Sequence, residues 1–129
     1  MTRRRVVVTG LGLISPVGST VEQGWANLLA GKSGISNITK FDATNYACRF
    51  AGEVRDFNVE HYLAAKDARH MDTFIHYGLA ASIQAVRDAG LRTNDDLTEE
   101  EAERIGCIVG SGIGGVWTIL SAWDTIQEK

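Results

Sequence analysis

Apolar residues fall into two kinds of run along this chain: short blocks without alternation, and longer stretches with a helical repeat. Arg5 to Thr9 (RVVVT) is of the first kind, a β-branched block ended by glycine, and it predicts a strand buried on both faces. Ile105 to Val109 (IGCIV) is of the same kind and predicts a second buried strand. The helical kind appears at Val21, Trp25, Leu28 and Leu29, with Ser19 and Glu22 at capping-box spacing before it and Gly31 as its stop. The longest helical repeat joins Met71, Phe74, Ile75, Gly78, Leu79, Ser82, Ile83 and Val86, and Gly90 ends it. The small residues Gly78 and Ser82 on that face predict close contact with another element. A last helix runs through Trp117, Leu120 and Trp123.

Between these elements the pattern is weaker. Gly10 to Gly18 reads as a tight loop, Ile35 to Tyr46 as a loop, Arg49 to Val54 as an exposed strand, and Val59 to Arg69 as a short helical stretch. Asn94 to Glu103 is acidic, and Thr98 and Glu101 stand at capping-box spacing. Asp95, Asp96, Glu99, Glu100 and Glu101 lack the glycine and ligand spacing of a calcium loop, so they read as a solvated helix start. No repeat, low-complexity tract or linker divides residues 1–129, which read as one segment of α/β character.

Charge and composition narrow the function classes. Net charge is −3, which gives no general reason to expect nucleic acid. Arg3, Arg4 and Arg5 followed by an apolar stretch resemble a signal peptide, but Gly10, Gly12 and Pro16 break that stretch as a helix. No apolar run approaches the ~20 residues needed to span a membrane, and a cytoplasmic location is expected. Cys48 and Cys107 are too few for a disulfide framework and read as reduced thiols. His61, His70 and His76 have no partner at metal spacing, and no cofactor is expected.

Both predicted buried strands run into glycine-rich turns and then helices, which raises nucleotide binding. Gly10-x-Gly12-x-x-Ser15 nearly matches the dinucleotide fingerprint. It fails at Ser15, at Pro16 and Gly18, which delay the helix, and for want of a second strand ending in an acidic residue about 20 positions on. The second turn, Gly110 to Gly115, lacks the Lys-Ser/Thr of a phosphate-binding loop. Two readings remain for these turns: backbone geometry that only glycine permits, or the wall of a ligand cavity at the end of a buried strand.

An ordered set of motifs then becomes specific. RRVVVTGLGLISPVGSTVEQGWANLLAGKSGI, FDATNYACRFAGEV, RHMDTFIHYGLAAS and RIGCIVGSGIGG follow one another from about Arg3 to Gly115. In that order and at those distances they resemble the opening of the β-ketoacyl-acyl-carrier-protein synthases, of the type II kind. Polyketide ketosynthases begin similarly. The resemblance implies a thiolase-like fold, of which this chain would be an incomplete N-terminal half: a buried mixed sheet flanked by helices, with apolar edges and faces left unpaired. It also implies a homodimer several hundred residues long that works with acyl carrier protein.

The implied reaction is decarboxylative Claisen condensation, in which a cysteine thiolate takes an acyl group and two histidines assist malonyl decarboxylation. In such proteins these three residues lie beyond Lys129, so no catalytic residue is expected in this chain. Cys107, in a predicted buried strand, is expected to be inert, and Cys48 has no visible activator. Two functions carry over onto residues present here. Ile113, with Gly112 beside it, matches the family's acyl-pocket isoleucine, against the plainer reading of ordinary core. Lys66 and Arg69, with His70 where the family often has another base, match the carrier-protein docking positions, against the plainer reading of a solvated helix face. A chain-length-factor-like, non-catalytic segment is the alternative from another class.

Overall fold

A computed structural model describes residues 3–93 and 97–128. The order is α1 (Val21–Leu29), β1 (Ile35–Asn37), β2 (Phe50–Gly52), a 3₁₀ turn (Val59–His61), α2 (Ala65–Ala68), α3 (Thr73–Asp88), α4 (Glu99–Glu103) and α5 (Val116–Gln127). The strands form one antiparallel pair, with Ile35 opposite Gly52 and Asn37 opposite Phe50. β2 lies inside the expected Arg49–Val54 strand. β1 lies in a stretch expected to be loop, since a three-residue strand is too short to show alternation and exists only through its partner.

Helix ends follow local chemistry. α1 begins one residue later than expected. Thr20, not Ser19, is the cap, and its Oγ1 accepts the Gln23 N–H at 3.2 Å. Gln23 Oε1 reaches back to the Ser19 N–H at 2.7 Å, so the reciprocal pair spans Ser19–Gln23 instead of Ser19–Glu22. Gly31 and Gly90 both adopt positive φ just past α1 and α3. Each turns its own and the next N–H back onto the helix: Gly31 to Leu28, Lys32 to Asn27, Gly90 to Arg87 and Leu91 to Val86, at 2.9–3.1 Å. The Thr98–Glu101 capping box forms as expected. Asn94, Asp95 and Asp96 of the same acidic run lie outside the described residues.

α3 is the axis of the fold, and the segment from Gly10 to Leu13 runs along it in the opposite direction. A Cβ added to Gly10 would stand 2.2 Å from the Ala85 carbonyl oxygen, and one on Gly12 would stand 1.9 Å from that of Ala81. The Leu11 N–H donates to Asp88 Oδ2 (2.8 Å) and the Leu13 N–H to Gln84 Oε1 (3.1 Å). Two residues of stretched chain advance about 7 Å and four residues of helix about 6 Å, so the two repeats stay in step. Close contact on α3 therefore falls at Ala81 and Ala85, not at Gly78 and Ser82, which are exposed. The reason is that alanine offers a flat, apolar surface against which a glycine backbone can lie.

The two predicted buried strands are absent from the described fold. Residues 5–9 and 105–109 are irregular, with Val6 94% and Ile108 100% exposed. A strand needs a neighbour's N–H and C=O groups, and among the described residues neither segment has one. Trp25, Leu28 and Leu29 of α1 and Trp117, Ile119, Leu120, Trp123 and Ile126 of α5 are likewise exposed.

Candidate functional site

Two places carry the expected functional residues, and the N-terminal end of α3 lies next to both. The first is α2. Its Ala68 is buried, while Lys66, the C-capping Arg69 and His70 are all exposed. The helix is held from beneath, since His76 Nε2–H on α3 donates to the Ala68 carbonyl at 2.9 Å. That bond gives His76 a structural role. Among the described residues neither Lys66 nor Arg69 joins a salt bridge, so their charge faces outward. His61, the third histidine, is exposed at the end of the 3₁₀ turn.

The second place is the loop before α5. Ile113 is 88% exposed and borders an open cleft of about 210 Å³ with Asp72, Thr73, Phe74, Val116 and Trp117. Gly114 and Gly115 also line it, whereas Gly112 stands apart, with nothing within 4 Å of a Cβ placed there. The walls given by this chain are therefore one-sided. Thr118 Oγ1 donates to Asp72 Oδ2 at 2.6 Å, tying the start of α5 to the start of α3. Gly115, at φ +71°, is the N-cap of α5. Asp72 and Phe74 line the cleft as well, although their only signals in the sequence are a helix start and an apolar face.

The turn Ser15–Gly18 closes on itself through two backbone hydrogen bonds of 2.9 and 3.1 Å. Pro16 at its second position suits the fixed φ such turns need. Pro16 is wedged between Gly34 and Gly52, each of which would place a Cβ under 3 Å from it. Farther along, Gln84 Nε2 donates to the Ser19 carbonyl (2.8 Å) and to Tyr62 Oη (2.7 Å), while Oε1 holds Leu13. One side chain thus joins three segments. The space where a pyrophosphate would meet Gly10 and Gly12 is filled by α3, which removes the dinucleotide reading.

Other chemistry-bearing groups have local explanations. Glu53, only 8% exposed, accepts from Thr39 Oγ1 (2.7 Å), the Thr39 N–H (2.9 Å) and the Lys40 N–H (3.2 Å). The Thr39 hydroxyl, then its amide, hold the carboxyl below the ordinary glutamate range, helped by Lys40 and Arg55. Burial raises the Tyr77 phenol, whose ring packs edge-on to Phe57 at 5.1 Å. Both cysteines are free and exposed. Exposure of Cys107 corrects the expectation that it is buried, and its cause is the missing strand around it. Cys48 Sγ lies 3.4 Å from the Phe50 carbonyl. Among the described residues no three His, Cys, Asp or Glu are placed to hold a metal ion. No helix among them is long and apolar enough to cross a membrane.

The order of motifs is matched by the family model described as beta-ketoacyl synthase, N-terminal domain, over residues 3–128. The chain belongs to that family, which implies a thiolase-like fold. More particularly, it is 55% identical over 129 residues to 3-oxoacyl-(acyl-carrier-protein) synthase 2 of Vibrio harveyi. It is 56% identical over the same length to the protein of that name from Vibrio cholerae. Both matches cover the whole of this chain and 30% of the relative, so the chain spans about a third of their length. Among solved structures, the ishigamide ketosynthase/chain length factor matches with TM-score 0.63 at 44% identity. That match covers 76% of this chain and 24% of that one.

Proposed function

We propose that this chain forms the N-terminal part of a condensing enzyme that elongates acyl chains on acyl carrier protein in fatty-acid biosynthesis. The observation that carries this reading is identity of more than half over the full 129 residues to synthases whose name states that substrate. The enzyme's cysteine attacks an acyl-carrier thioester, releasing carrier protein and forming an acyl-enzyme. Malonyl-carrier protein loses CO₂, and its carbanion attacks that acyl group. The products are β-ketoacyl-carrier protein and the free thiol. Cys48 and Cys107 take no part, and no cofactor enters.

Within this chain, Ile113 and Gly112 border the acyl pocket, and Lys66, Arg69 and His70 meet the carrier protein. The remainder of the protein supplies the neighbours that residues 5–9, residues 105–109 and the apolar faces of α1 and α5 need, completing a buried mixed sheet between helices. The family resemblance carries two further expectations, a homodimer and a cytoplasmic location. A second reading, a non-catalytic chain-length-factor-like subunit, draws support from the name of the solved neighbour.

The test uses a full-length synthase carrying these residues, given acyl- and malonyl-carrier protein. A β-ketoacyl product and a thioester on a cysteine other than Cys48 or Cys107 are expected. Absence of both favours the non-catalytic reading. In the same enzyme, Lys66→Glu with Arg69→Glu lowers kcat/KM for carrier-protein substrates and spares a small thioester. Exposed pairs are each worth about 0.2–1 kcal/mol. The loss fades with salt, because the Debye length shrinks from about 10 Å at 0.1 M to about 3 Å at 1 M. Equal loss with both substrates means damage to the fold, and the docking assignment fails.

A further inference from the structure

The loop that carries Ile113 rests on one aromatic ring. A Cβ on Gly114 would stand 2.7–2.8 Å from three atoms of the Phe74 ring. That is inside ordinary carbon contact, so at Gly114 the backbone already lies against the ring. Earlier in the loop the glycines differ, since Cβ atoms at Gly110 and Gly112 would meet nothing within 4 Å. Support is thus concentrated at one point, directly after Ile113. The side chain of Ile113 itself is 88% exposed and has no such restraint. Beyond Gly114 the chain is fixed again: Thr118 Oγ1 is bonded to Asp72 Oδ2, and that oxygen would lie 3.2 Å from a Gly115 Cβ.

We infer that Phe74 is a positioning residue for the acyl pocket: its ring sets how far the Ile113 loop stands off α3, and so the length of acyl chain that passes. The inference rests on the assignment of Ile113 to that pocket. A phenyl ring cannot be compressed, so while it keeps this rotamer the loop cannot move toward α3. With a smaller residue at position 74 the backbone at Gly114 gains room on that side. Asp72 and Thr118 still hold the far end, so the loop moves as a flap about α5 instead of coming loose. Ile113 then draws back, and longer chains fit.

The experiment measures kcat/KM for short and long acyl-carrier primers in a full-length synthase carrying these residues. The variants are Ile113→Phe, Phe74→Leu and Phe74→Ala, alone and combined with Ile113→Phe. Ile113→Phe lowers the value for long primers by about ten- to hundred-fold and affects short primers far less. Adding Phe74→Ala restores about tenfold for long primers and changes short ones far less, and Phe74→Leu restores less in the same direction. The graded pair keeps the test sharp, because Phe74→Leu preserves most of the side chain if Phe74→Ala folds poorly. If Ile113→Phe shifts chain-length preference but neither change at position 74 restores it, Phe74 does not position the loop and this inference alone fails. If Ile113→Phe slows all primers equally, the pocket assignment fails and takes this inference with it.

Discussion

Six glycines before position 55, and the three at positions 106, 110 and 112, follow similar sequence logic and meet opposite surroundings. Gly10, Gly12, Gly18, Gly24, Gly34 and Gly52 would each bring a Cβ under 3 Å from another atom. Gly106, Gly110 and Gly112 would meet nothing within 4 Å. The first group is where a backbone already touches another backbone, Pro16, or, at Gly24, the Leu13 side chain. The second lies beside a segment with no neighbour among the described residues. A glycine-rich turn after an apolar block therefore has no single meaning. In one region the missing side chain is a packing requirement, and in the other it leaves open space.

The largest effect expected from this difference is at Gly12. A methyl group there meets the Ala81 carbonyl oxygen at 1.9 Å, and its next neighbours are backbone atoms of Ala81 and Ala85. No side-chain rotamer relieves the clash, so either α3 or the segment from Gly10 to Leu13 must move. That breaks the amide contacts to Gln84 and Asp88 as well. In a full-length synthase, Gly12→Ala is expected to lower unfolding free energy by about 1–3 kcal/mol or more, read from denaturant midpoints. An unchanged midpoint would show that the close approach is not needed.

This also explains which parts of the fold were legible in the sequence. α1, α3, α4 and α5 announce themselves through repeats of three and four, caps and terminal glycines, all of which are local. Gly31 and Gly90 were readable as stops because a helix end needs little beyond its own last turn. The surroundings of Gly10 and Gly12 were not readable, because they depend on residues some 70 positions away. Gln84 was hidden for the same reason: its three partners are scattered at Leu13, Ser19 and Tyr62. The apolar blocks at 5–9 and 105–109 have strand composition, yet a strand is made by its neighbour. Of the candidate site, Lys66, Arg69, His70 and Ile113 were reached through motif resemblance. Phe74 became visible only once its ring was placed against Gly114.

A smaller effect sharpens the description of the first region. Glu53 closes the hairpin that helps clamp Pro16, and its hydrogen bonds favour the charged form. Its folded pKa lies below the ordinary value of 4.5, so its contribution is fully present above 4.5 and is lost as pH falls through the depressed value. Asp42, held by Thr44, and Glu101, held by Thr98, act in the same direction. Melting temperature should therefore fall on acidification below about pH 4.5, the ordinary glutamate value. Glu53→Gln should melt lower than the parent at pH 7 and lose less on acidification. Parallel loss in the two proteins would show that Glu53 carries no part of the acid response.

The smallest expected change in stability is at Gly112, and for that reason it divides the two meanings of open space most cleanly. Its φ is not positive and nothing lies near a Cβ, so alanine meets neither strain nor clash within this chain. A compatible Gly→Ala change also restricts the unfolded chain, which favours the folded state by roughly 0.4–1 kcal/mol. Gly112→Ala in a full-length synthase is therefore expected to leave the melting temperature unchanged or slightly raised. Two kinds of occupant remain for the space beside it, an acyl chain or side chains from the rest of the protein. An acyl chain is present only during turnover, so a methyl group in its path lowers kcat/KM for long primers while stability holds. Side chains of the protein are present always, so the same methyl group lowers the melting temperature and affects short and long primers alike. The first outcome supports Gly112 as part of the pocket beside Ile113. The second would place Gly112 with Gly12, as a packing glycine whose partner lies outside these 129 residues.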